Sequence, residues 1–292
     1  MANVKLNWNP KGFELSSIGE KKFDRITDGD TPFISMSIRM LSIDAPEVHY
    51  NGDPANHNPL MTDLANWIKG GKAPIDPGLA KYLYPKLATG TAGTLQKKQG
   101  DDATVVFNNL LTTKLTRSNG KKRNLFLRVA SQQPFDQYGR LLAYIAPSYS
   151  EKEIKTMTRH DRATFNLLLV ESGWVASFPI YPDLPKQEDL VLLRGGAEKA
   201  LKQKYGIWSS PNTLAGYEYR MCCKLWKVTS QLETGKTLSA KAKSGWIERY
   251  CVDMTTLKLY NPQDYYKVEP FNRVFIWPKD VKVATSNLKL VP

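Results

Sequence analysis

Three short stretches gather the carboxylates and guanidiniums that phosphoryl chemistry needs. They are Asp28-Gly29-Asp30-Thr31, then Arg39 leading into Asp44-Ala45-Pro46-Glu47, and later Asp136-Gln137-Tyr138-Gly139-Arg140. Asp30 and Asp44, with a backbone carbonyl and waters, suit a hard cation. Glu47, just past the turn that Ala45-Pro46 supplies, can take a proton from a water beside such an ion. Arg39 and Arg140 can grip the non-bridging oxygens of a phosphate, where charge grows in the transition state. Removing one preorganised donor of this kind costs about 3–4 kcal/mol, and a phosphate-clamping arginine is worth roughly 10³–10⁵ in rate. The set reads as metal-assisted phosphodiester hydrolysis. Each string alone has a plainer reading: the first as a turn, the last as a hairpin connection, Asp44–Glu47 as a strand exit before a helix. Their joint presence and order carry the chemical reading.

Strands must position these groups. From Phe33 to Ile43 the run FISMSIRMLSI alternates, with Ile34, Met36, Ile38 and Met40 on one face and Ser35, Ser37 and Arg39 on the other. NLFLRVAS (124–131) and RLLAYIA (140–146) read as two more strands around the turn-rich PFDQYG. GFELSSIG and KKFDRI read as an opening hairpin. Helical stripes occur at Ala103, Val106, Phe107, Leu110 and Leu111, at Phe165, Leu168 and Leu169, and from Leu190 to Tyr205 across Gly195-Gly196. Five or so strands with about three helices predict an α+β domain, a small barrel with helices, rather than a parallel sheet.

Between Val48 and about Gln99 no periodicity persists beyond a helical piece at LANWIK, so this stretch reads as an insertion. It follows the acidic turn directly and is placed to narrow a substrate cleft. His49, Asp53 and His57 inside it read as surface loop rather than a second metal site, since their spacing matches no metal motif. Beyond Ser210 the character changes. Residues 229–244 read as a polar linker, and WIERYCV, TTLKLY and RVFIW as three aromatic strands of a small β-rich module over 211–292. Trp246, Tyr250, Tyr260, Tyr265, Tyr266, Phe271, Phe275 and Trp277 among Arg249, Lys258, Lys267 and Arg273 suit single-stranded nucleic acid or the module's own core. The module is also a place for a protein partner.

The formal charge of +13 over 292 residues favours a polyanionic partner, since neutralising phosphates releases counterions. Three cysteines, two of them adjacent (Cys222 and Cys223), form neither a disulfide framework nor a zinc spacing. The N-terminal run lacks an apolar h-region and no stretch is apolar enough to span a bilayer. These features predict no membrane association and a cytoplasmic protein, or a secreted one with its leader removed.

The order DGDT, IRMLSIDAPE, DQYGRLLAYI closely resembles the signature of the staphylococcal nuclease family. GDDATVVFNNLL, LLLVESGWV and AEKALKQKYGIWSSP resemble that family's helices, so the likeness covers most of residues 10–210 apart from the insertion and a smaller one at 148–159. The resemblance implies a five-stranded OB-fold-type barrel over 1–210. It implies a calcium-dependent nuclease acting on DNA or RNA, single strands preferred, with cleavage on the 5′ side. Calcium would be held by Asp30, Asp44 and the carbonyl of Ala45, with Glu47 as general base and Arg39 and Arg140 on the phosphate. Tyr138 matches a tyrosine near the terminal phosphate, and Gln137 stands where a lysine is common. Of a nucleotide-binding tyrosine pair only Tyr181 is in place, Pro179 standing at the other position. The competing reading is a catalytically silent nucleic-acid-binding module or interaction scaffold on the same fold.

Overall fold

The computed structural model describes residues 20–130 and 133–291. The chain divides into two units, Met1–Arg39 with Val129–Ala143, and Met40–Arg128 with Tyr144–Pro292. GFELSSIG (12–19) lies outside the described residues.

In the first unit KKFDRI does form a strand, β1 (Lys22–Ile26), whose antiparallel partner is β2 (Pro32–Ser35). The Asp28–Thr31 turn joins them, closed by the Thr27 N–H on the Thr31 carbonyl at 3.3 Å. The long strand read over 33–43 is broken into β2, β3 (Ile38–Met40) and β4 (Ile43–Asp44). The last break falls at Ser42, whose φ of 58° no strand accommodates. In the second unit Ser42 is held there by a 2.6 Å bond between its hydroxyl and that of Tyr144, and its carbonyl accepts from Phe178 N–H at 2.8 Å.

The stretch read as an aperiodic insertion is helical. It contains α1 (Asn58–Lys69), α2 (Pro77–Leu87) and the first two turns of α3 (Ala92–Leu115). Prolines open α1 and α2, as the missing N–H allows in a first turn. Leu79, Leu83 and Leu87 recur every four residues and are fully buried. Burial of each leucine is worth about 1.5–3 kcal/mol, which outweighs the penalty of Pro85 within the helix.

Strands β5 (Leu125–Val129) and β6 (Leu141–Pro147) form a three-stranded sheet in the order β3-β6-β5. Then come α4 (Glu151–Ile154), α5 (Phe165–Glu171), β7 (Ala176–Ser177), β8 (Ile180–Tyr181) and α6 (Gln187–Lys202), the last running through both glycines. The remaining elements are α7 (Gly216–Glu233), α8 (Ala240–Ser244), β9 (Tyr250–Asp253), β10 (Leu259–Tyr260), β11 (Arg273–Ile276) and α9 (Val281–Leu288). The expected aromatic strands are present. Of the expected linker at 229–244, residues 229–233 close α7 and 240–244 form α8, with a short loop at 234–239 between them, so this part is mixed rather than β-rich.

These strands join one sheet, β10-β9-β11-β8, with β11 antiparallel to β9 and parallel to β8. Trp246, Tyr265 and Phe275 are buried in the same cluster as Leu64, Leu79 and Leu83 of the inserted helices and Leu225 of α7. A buried ion network pins that core. Glu218 accepts from the Tyr82 hydroxyl at 2.8 Å, the Tyr265 hydroxyl at 3.1 Å and Lys86 at 3.3 Å. Arg273 lies 3.6 Å away and donates to the Tyr217 hydroxyl at 2.6 Å. Desolvation would raise the Glu218 carboxyl, but Lys86 and Arg273 outweigh it and hold the group below its ordinary value. The whole is a mixed α+β chain with several small sheets among its described residues.

Candidate active site

The Asp44–Glu47 turn in the second unit is built from both flanks. β4 pairs with β7, setting Ile43 opposite Ser177 and Asp44 opposite Ala176. This leaves the Asp44 side chain with no exposed surface. On one flank, Gly100 of α3 packs against the turn so closely that a methyl there would lie 2.8 Å from Val48 and 3.0 Å from the Pro46 carbonyl. One turn earlier on α3, the Gln96 amide accepts from the Glu47 N–H at 2.6 Å and donates to the Leu214 carbonyl at 3.0 Å, in the orientation that satisfies both.

On the other flank lies the start of α7. Glu218 accepts from the Ala215 N–H at 3.1 Å, capping the helix. A methyl on Gly216 would fall 2.2 Å from the Ala45 carbonyl and 2.6 Å from an Asp44 oxygen. Four residues on, and so on the same helix face, Arg220 reaches both acids. Its Nη2 donates to the two Asp44 oxygens at 2.9 and 3.1 Å, and its Nη1 donates to Glu47. Burial opposes the Arg220 charge, but Asp44 and Glu47 prevail and raise its pKa. A second cation stands near. Burial, and then the charge of Arg220, push the Arg249 guanidinium down to about 10. Its carbon lies 4.9 Å from the Phe178 ring centre and 5.0 Å from that of Trp277.

In the first unit, Asp136–Arg140 is a self-contained turn. One Asp136 oxygen accepts the N–H groups of Tyr138 at 2.9 Å and Arg140 at 3.0 Å, and the other accepts the Arg140 guanidinium at 2.7 Å. Desolvation works against the Asp136 charge, yet these donors hold its carboxyl below the ordinary value. Arg140 also lies 5.3 Å over the Tyr138 ring, which is 72% exposed, and Gln137 is exposed beside it. Asp30 is exposed in the β1–β2 turn, accepting from its neighbour Thr31 at 3.1 Å, while Arg39 is half-buried on β3.

Residues 37–210 match the family described as staphylococcal nuclease homologue. The chain belongs to that family. A comparison with curated proteins finds no match. Staphylococcal nuclease homologues are nucleases as a class and typically calcium-dependent. The match takes in Arg39, Asp44, Glu47 and Arg140, but starts after Asp30 and ends before Arg220.

The calcium that this family implies can be tested against the donors. Calcium takes 6–8 oxygens at about 2.3–2.6 Å. Both Asp44 oxygens accept from Arg220, and the Ala45 carbonyl faces Gly216 within methyl distance. Among the described residues no group of three or more His, Cys, Asp or Glu gathers as a metal cage. As arranged, these residues do not fit a calcium ion.

Other expected residues have structural partners. Tyr181 accepts at its hydroxyl from Asn287 at 2.9 Å. His57 lies 2.6 Å from the Tyr219 hydroxyl, and Asp53 caps a short 3₁₀ turn through the Ala55 N–H at 2.9 Å. Arg220 and Gln96 escaped the sequence reading because their partners lie far away along the chain, where no periodicity links them.

Proposed function

We propose that the chain hydrolyses phosphodiester bonds of DNA or RNA, with single strands as the preferred substrate. Glu47 takes the proton of the attacking water as its oxygen bonds to phosphorus, and the ester P–O bond breaks with its electron pair going to the leaving oxygen, which takes a proton from solvent to become a hydroxyl. Arg39 and Arg140 hold the non-bridging oxygens and stabilise their growing charge. The observation that carries this reading is Glu47 on a turn whose backbone is fixed by Gln96 and whose neighbour Asp44 is buried, within a domain of the staphylococcal nuclease homologue family. The formal charge of +13 supports a polyanionic substrate.

The test is cleavage of single-stranded DNA by wild type and Glu47→Gln, in calcium, in magnesium and in chelator. Affinity is measured in parallel over a series of salt concentrations. Cleavage by wild type alone, with salt-sensitive binding by both proteins, is the expected result. Binding without cleavage by either protein would mark a silent reader of nucleic acid instead.

A further inference from the structure

The disagreement between the implied calcium and the donors has a definite chemical form. A guanidinium occupies the oxygens on which the ion would sit. Arg220 is 23% exposed and bridges a fully buried carboxylate to a second one, contacting Asp44 at 2.9 and 3.1 Å and Glu47 through its other nitrogen. The bridge is rigid at its root, because Gly216 on the same helix face leaves no room for a methyl group against Ala45 and Asp44. Arg249, stacked on Phe178 and Trp277, is a second guanidinium, its own charge disfavoured by burial and then by Arg220 and favoured by Asp44. The oxygens that a dication would use are thus already held by the Arg220 guanidinium. A buried carboxylate stripped of its cation is costly, so removing Arg220 leaves a pair of acids seeking another.

We propose that Arg220 is the resident cation of this site. It stands on Asp44 and Glu47 in place of a divalent ion, so the pair takes no calcium while Arg220 is present, and removing its guanidinium opens a divalent-cation site on the same oxygens. Arg220 is here a positioning residue, acting on the reaction through Glu47. This deepens the proposed function and rests on it only for what Glu47 does. The test is read without nucleic acid, so either idea can fail while the other stands.

The experiment is calorimetric titration of the full-length protein with calcium chloride alone, together with thermal unfolding in calcium and in chelator. Wild type and Arg220→Lys should bind calcium more weakly than about 1 mM and show no shift of Tm. Arg220→Ala and Arg220→Gln should each bind one equivalent, tighter than wild type by about tenfold or more, with Tm raised by calcium. Adding Asp44→Asn to either should abolish the gain. If both neutral variants are unfolded in chelator, calcium should restore their circular dichroism. The proposal is overturned if wild type binds calcium through Asp44, or if the neutral variants neither gain binding nor recover their fold in calcium.

Discussion

The turn at 44–47 and the turn at 136–140 each set a carboxylate against an arginine, and they are built in opposite ways. The first owes its form to residues about 50 and 170 positions away: Gln96 and Gly100 on α3, Gly216 and Arg220 on α7. Its acid is buried and its charge balanced from a distant helix. The second is made by its own five residues, with Asp136 satisfying two amides and one guanidinium within a four-residue span. A self-made turn survives changes elsewhere and presents an arginine that is 39% exposed. A turn assembled from afar depends on the packing of the whole second unit, and can be tuned by a residue that no local motif contains.

This contrast can be broken at either end. The largest effect expected is on rate: Arg140→Ala should lower kcat on single-stranded DNA by roughly 10³–10⁵ while leaving the urea midpoint nearly unchanged. A large loss of stability would mean that the second turn is not self-contained. Next comes Glu218→Ala, which strips Lys86 and Arg273 of their buried partner. It should cost about 3–5 kcal/mol in chemical denaturation and lower activity through the loosened start of α7. Gly100→Ala presses a methyl onto Val48 and the Pro46 carbonyl. It should cost about 1–3 kcal/mol and reduce kcat more than KM, since the backbone that carries Glu47 must move.

The smallest effect belongs to Asp136→Asn. With Arg140 well exposed, the lost pair is worth about 0.2–1 kcal/mol. Its pH dependence follows from the lowered carboxyl. A group depressed in the fold contributes fully above its unfolded value, about 3.9, and loses that contribution as pH falls through the folded one. The stability gap between wild type and Asp136→Asn should therefore be constant near neutrality and shrink below about pH 4. A gap that persists in acid would assign the turn's stability to something other than this carboxylate.

What could be read from the sequence follows the same division. The strands flanking the 136–140 turn, the stripe within α3 and the helices α5 and α6 announced themselves through local periodicity. Of the inserted helices only the LANWIK half of α1 was legible; α2 was not, although Leu79, Leu83 and Leu87 keep a helical spacing, because prolines and glycines interrupt the surroundings. The buried face of α3 before residue 101 is made of Ala92, Gly93, Gln96, Gln99 and Gly100, small or polar residues that no hydrophobic pattern flags. The strand break at Ser42 needs Tyr144 and Phe178 to hold a positive φ, and neither is a neighbour in sequence. Arg220 is the sharpest case. Its 176-residue separation from Asp44 leaves no mark short of the fold itself.

Glu47 is the group proposed to activate water, and every other role at the site depends on it. Single-turnover cleavage of end-labelled single-stranded DNA, with protein in excess, compares wild type and Glu47→Gln without interference from product release. A fall in rate of about 10²–10⁴ with unchanged DNA affinity is the predicted result. Equal rates for the two proteins would contradict the account and place the base elsewhere.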